Sequence, residues 1–120
     1  MSTETAERCT ALIAALPPNL GQDRKLPRRV TTGGAAGRAA AWGDPTVTLV
    51  CGTPPADPTA EQVQLGPPDG GIVTFGIQDL GPATAFTTVG LAVPVTVTVP
   101  DAYDSTLLVP VTGPLLAADR

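Results

Sequence analysis

Two cysteines, each part of a different periodicity, constrain this chain more than any other feature. From Thr5 to Leu16 the apolar residues Cys9, Leu12, Ile13 and Leu16 fall at i, i+3, i+4 and i+7, the spacing that collects them on one stripe of an α-helix. From Val47 to Cys51 the period is two, with Val47, Leu49 and Cys51 on one side of a strand and Thr48 and Val50 on the other. Each sulfur therefore lies on the apolar side of its element and points into a common core. If the helix packs across that strand, a bridge between Cys9 and Cys51 is geometrically natural. Closing a loop of about 42 residues would contribute about 4 kcal/mol in the chain-entropy account. Two independent buried thiols are the alternative, because free cysteine is among the most buried residue types. An oxidised pair in a domain this small points to an extracytoplasmic compartment, whereas reduced thiols would suit a cytoplasmic binding protein.

The same pair excludes other cysteine chemistry. There is no C-x-x-C, and Arg8 is the one evident cationic neighbour that could activate a thiolate. A zinc site needs more ligands than two cysteines in a chain with no histidine, so no metal is expected. The absence of histidine also removes Ser-His-Asp and Cys-His catalysis. Carboxylates remain. Asp44 in "WGDP", with Asp101 and Asp104 in "PDAYD", are the candidates for an aspartate-based enzyme. The plainer reading is of turns in which aspartates bond their own backbone. Trp42 reads as an aromatic over the core, with ligand stacking as the alternative. "TTGGAAGR", Thr31 to Arg38, matches neither G-x-G-x-x-G nor G-x-x-x-x-G-K-[ST] and reads as a flexible loop. No cofactor is expected.

Charge is distributed unevenly. Arg24, Lys25, Arg28, Arg29 and Arg38 face a single anion between Asp23 and Arg38, while beyond Ala39 eight acids face Arg120 alone. A basic loop thus rides on an acidic body. Such a loop could contact an anionic envelope polymer or an envelope protein, and a solvated linker is the plainer alternative. The overall net charge of −4 and one Trp, one Tyr and two Phe give neither the field nor the stacking platforms for nucleic acid. No apolar run reaches the 18 or so residues of a membrane-spanning helix.

One domain of 120 residues is expected, with a core drawn almost wholly from Val, Leu, Ile and Ala. The 14 prolines and 13 glycines, close to a quarter of the chain, keep elements short and loops long. Residues 1–18 hold the helix, stopped by Pro17 and Pro18; residues 19–39 read as the basic loop; residues 40–120 hold the sheet and tail. "VPVTVTVP" gives the cleanest strand, Val93, Val95, Val97 and Val99 sharing one face and Pro94, Thr96 and Thr98 the other. "GGIVTFGI" and "AFTTVG" are shorter strand signals, and Val63 to Leu65 a weaker one. Pro110 and Pro114 limit the tail to a short strand and one helical turn. The expected fold is α+β: an N-terminal helix, tethered by one disulfide, packed on a small antiparallel sheet of about four or five short strands.

"AAWGDPTVTLVCG", then "FTTVG", then "VTVTVPDAY" resembles an actinobacterial family of small exported, usually membrane-anchored proteins catalogued as a domain of unknown function. The matching positions are Cys9, Leu16 and Pro17, Ala41 to Pro45, Cys51 and Gly52, Phe86 to Gly90, and Val93 to Pro100. The resemblance implies an exported protein, from a family whose members generally carry an N-terminal transmembrane or lipoprotein-type segment, and pairing of the two cysteines; it supplies no catalytic residue. Leu91 stands where an arginine often follows FTTVG, and residues 66–80 lack a tryptophan often found there. The expected function is a non-catalytic accessory or interaction domain of the cell envelope.

Overall fold

Among the described residues eight strands form one antiparallel sheet, and two helices carry the remaining apolar surface. The computed structural model describes residues 3–16, 19–20, 26–29, 39–43, 46–67, 70–101, 103 and 105–119. In chain order the elements are α1 (Thr3–Ala15), β1 (Asn19–Leu20), β2 (Leu26–Arg29), β3 (Ala39–Trp42), β4 (Val47–Cys51), β5 (Glu61–Leu65), β6 (Val73–Asp79), β7 (Ala83–Val89), β8 (Val95–Pro100), a 3-10 turn (Ser105–Leu108) and α2 (Val109–Asp119). The strand order is β1-β2-β3-β4-β8-β7-β6-β5. Six strands from β3 to β5 make its body, and β1 and β2 extend it beyond β3.

Four or five strands were expected, and the structure corrects that number upward. The missed strands have physical reasons. β3 is AAAW, a run without alternation and with little β-propensity, recruited because Trp42 pairs opposite Val47 through the Gly43 turn. β1 and β2 fall inside the stretch 19–39 expected to be a loop, with Arg28 opposite Trp42 and Arg29 opposite Ala41. Arg24, Lys25 and Arg38 of that loop lie outside the described residues. The strong strand signals hold: Val47–Cys51 and Val95–Pro100 are adjacent strands, with Leu49 opposite Val97 and Cys51 opposite Val95.

Alternation then divides the sheet into two chemically different faces. Val47, Leu49, Cys51, Val73, Phe75, Phe86, Val95, Val97 and Val99 are buried with Cys9, Leu12, Leu16, Leu108, Val111 and Leu115 of the helical layer in one core. Phe75 and Phe86 meet edge to face, their ring centroids 6.4 Å apart. α1 joins the sheet through this core and runs beside α2. Polar groups in the core are satisfied locally: Thr88 Oγ1 accepts the Val95 N–H at 2.9 Å, and Thr112 donates to the Val109 carbonyl at 2.7 Å.

The tail also departs from expectation, since residues 109–119 are helical despite two prolines. Pro110 falls in the first turn, where an N–H has no helical partner in any case. Pro114 is interior and forfeits the bond to the Pro110 carbonyl, at a cost of roughly 3 kcal/mol relative to alanine. Burial of Leu107, Leu108, Val111 and Leu115 in the core offsets that loss. Pro114→Ala should therefore raise the unfolding free energy by about 2 kcal/mol, after about 0.4–1 kcal/mol is returned to the freer unfolded chain. Urea denaturation checks this, and an unchanged or lowered midpoint would contradict it.

Candidate functional site

The second face of the sheet is where chemistry is exposed. It is built from the residues that alternate out of the core: Thr96 and Thr98 of β8, Ala85 and Thr87 of β7, and Thr74, Gly76 and Gln78 of β6. β4 and β5 are separated in the sheet by β8, β7 and β6, so the segment joining them must cross four gaps of about 4.8 Å, or about 19 Å. Residues 52–60 cover that distance, starting at a turn where the Gly52 and Thr53 N–H groups both donate to the Pro94 carbonyl, at 2.8 and 3.3 Å. Pro54 and Pro55 lack N–H groups, so the segment can lie over the sheet without leaving those donors unpaired.

Between this crossing segment and the threonine face lies a groove of about 520 Å³. Its outer wall is Pro54, Pro55, Ala56, Asp57 and Ala60; its floor includes Gly76, Gln78, Ala85, Thr87 and Thr96. Gly76 is needed because Ala56 sits directly above it, and a Cβ there would approach the Ala56 methyl to 2.9 Å. A glycine inside a strand signals this kind of close approach, and it was the one trace of the groove in the sequence. The Thr96 side chain is bonded on both sides, to Thr53 at 2.8 Å and to Thr87 at 2.9 Å, giving a chain of three hydroxyls from the crossing segment to the floor.

Two aspartates belong to the groove. Asp57 Oδ1 accepts the Thr59 N–H at 2.9 Å and the Thr59 hydroxyl at 2.8 Å. These two bonds favour the charged form and hold its carboxyl below the usual 3.8. Asp79 Oδ1 accepts the Gly81 N–H at 2.8 Å. Since the Asp57 carboxyl is lowered in the folded state, its contribution to stability is present above the unfolded value and is lost as the pH falls through the folded one. Thr59→Ala removes the hydroxyl and leaves the N–H, so the Asp57 midpoint should move up toward 3.8 without reaching it. Carboxyl NMR titration would show this, and an unmoved midpoint would refute it.

The residues singled out from sequence fall elsewhere. Cys9 and Cys51 are joined as a disulfide, with Cα atoms 5.7 Å apart, and both are buried. Trp42 is wholly buried, which corrects the alternative of ligand stacking. Asp101 is exposed in the turn after β8, its N–H donating to the Pro82 carbonyl at 3.0 Å. Asp44 and Asp104 lie outside the described residues. Among the described residues no three Cys, Asp or Glu side chains gather as metal ligands. Nor is any helix among them long and apolar enough to cross a membrane.

Comparison with known proteins gives no match among the curated proteins or the solved structures. A family model does match, over residues 2–117, described as a protein of unknown function (DUF3515). With nearly its whole length aligned to that family, the chain belongs to DUF3515.

Proposed function

We propose that this domain works outside the cytoplasm as a non-catalytic accessory or interaction module of an actinobacterial cell envelope, secreted or held at the membrane. The observation that carries the reading is the Cys9–Cys51 disulfide, buried at the junction of α1 and β4. Disulfides persist in oxidising compartments and are rare in the cytosol. The resemblance of "AWGDP", "FTTVG" and "VTVTVP" to exported proteins supports the same location. In this reading the cationic residues Arg24, Lys25, Arg28, Arg29 and Arg38 meet anionic envelope polymer.

The test is alkylation of the protein taken from cells that make it naturally, by mass measurement, together with fractionation. Two alkyl groups should be added only after reduction, and the protein should be in the envelope or secreted fraction. Cysteines that alkylate without reductant in a cytosolic pool would overturn the proposal.

A further inference from the structure

The two ends of the sheet are built differently. One ends in β1, two residues long, backed by β2 with Pro27, which has no N–H to offer. Very short strands and proline keep a sheet edge from pairing with another chain. The other end is β5, whose five residues pair with β6 one for one, from Glu61 opposite Ile77 to Leu65 opposite Val73. It holds no proline, lysine or bulge. Among the described residues no strand pairs with its outer side. Its outward N–H and C=O groups are thus a template for one more strand.

The side chains of β5 select that strand. Val63 lies opposite Phe75, which is in the core, so Glu61, Val63 and Leu65 share the core side of the sheet and Gln62 and Gln64 the other. Val63 and Leu65 pack against the core yet stay half-buried at its rim, while Glu61, Gln62 and Gln64 are exposed. A second copy of EQVQL, run antiparallel about a two-fold axis at Val63, complements all five. Val63 then meets the partner's Val63, Gln62 meets the partner's Gln64, and Glu61 meets the partner's Leu65. The glutamine amides can donate to and accept from each other, and the apolar rim continues across the joint. Charge decides the direction. Antiparallel, the two Glu61 carboxylates stand four residues apart along the strands, about 14 Å, well beyond the Debye length of about 8 Å at physiological salt. Parallel and in register, they would face each other at about 5 Å, which is destabilising.

We propose that β5 is a homodimer edge: two copies of this chain pair antiparallel through Glu61–Leu65, with Val63 on the two-fold axis, and join their sheets into one. The inference goes beyond the interaction-module reading and holds in any compartment, so alkylation and self-association can fail separately. Five residues a side place the contact at the small end of protein interfaces, and the dimer should be weak, with a Kd of about 10 µM to 1 mM.

The experiment is sedimentation equilibrium of the full oxidised chain across that range, together with two double variants at exposed positions. The average mass should rise reversibly from monomer toward dimer. Gln62→Lys with Gln64→Lys sets like charges opposite each other twice and should weaken the dimer about two- to thirtyfold. Gln62→Glu with Gln64→Lys leaves the net charge at −4 and sets opposite charges face to face twice, so it should tighten the dimer by a similar factor. In a parallel register the same variant would bring like charges together and weaken it. A chain that stays monomeric at about 1 mM would overturn the proposal. So would a dimer indifferent to both variants, or one weakened by the Glu and Lys pair. Should a variant misfold, a mixture of isotope-labelled and unlabelled unaltered chain decides the matter by NMR: nuclear Overhauser contacts from Gln62 to the partner's Gln64 are expected, and intermolecular contacts confined to another surface would refute the edge.

Discussion

Simultaneous replacement of Cys9 and Cys51 by alanine is expected to lower the unfolding free energy by about 4 kcal/mol. The bridge closes a sequence separation of 42 residues, and the entropy removed from the unfolded chain by a loop of that size gives this figure. Against a total of roughly 5–15 kcal/mol for a domain, the loss is a large share of stability. It corresponds to a fall in Tm on the order of 15 °C. Denaturation by guanidinium should also show a steeper slope, because an unfolded chain freed of its cross-link exposes more surface. Reduction of the unaltered protein should reproduce most of the effect, which separates the covalent link from the packing of the sulfur atoms. A loss under about 1 kcal/mol would show that the link constrains little.

Trp42→Ala is the second large effect, with an expected cost of about 3–5 kcal/mol. Trp42 is wholly buried and is the largest side chain in the core. It ends β3, where it pairs opposite Val47 on one side and Arg28 on the other. Its removal leaves a cavity that the short, turn-bound strand has little freedom to close. Phe75 and Phe86 are the other large aromatics of the core, so few side chains can expand into the space. Trp42→Phe should recover part of the loss by restoring ring volume. Because the chain has one tryptophan, unfolding must be followed by circular dichroism rather than indole fluorescence. A near-neutral effect of the alanine variant would place Trp42 outside the core.

The elements whose periodicity matches their burial were legible in advance. Cys9 and Leu12 are buried on α1 with Leu16 just past its end, and Val95, Val97 and Val99 on β8, as their spacing requires. Elements formed for other reasons were not. The β3 alanines have weak strand preference and are held by pairing with β4. α2 keeps a helix through Pro114 because four apolar residues from Leu107 to Leu115 find the core, a gain invisible to local propensity. The candidate site was the least legible part. Thr87 and Thr96 come together across β7 and β8, and Asp57 lines the same groove because strand order carries residues 52–60 over the sheet.

By itself the sequence determined that this protein has an apolar helix stripe opening on Cys9 and alternating strands, one of which ends on Cys51. Those features follow from side-chain direction at periods of 3.6 and two, which needs only neighbouring residues. Tertiary structure decided that β4 and β5 lie four places apart, that their link crosses the threonine face, and that a groove opens beneath it. Strand order depends on which distant apolar faces bury one another, an energy shared by the whole core and carried by no single stretch of chain.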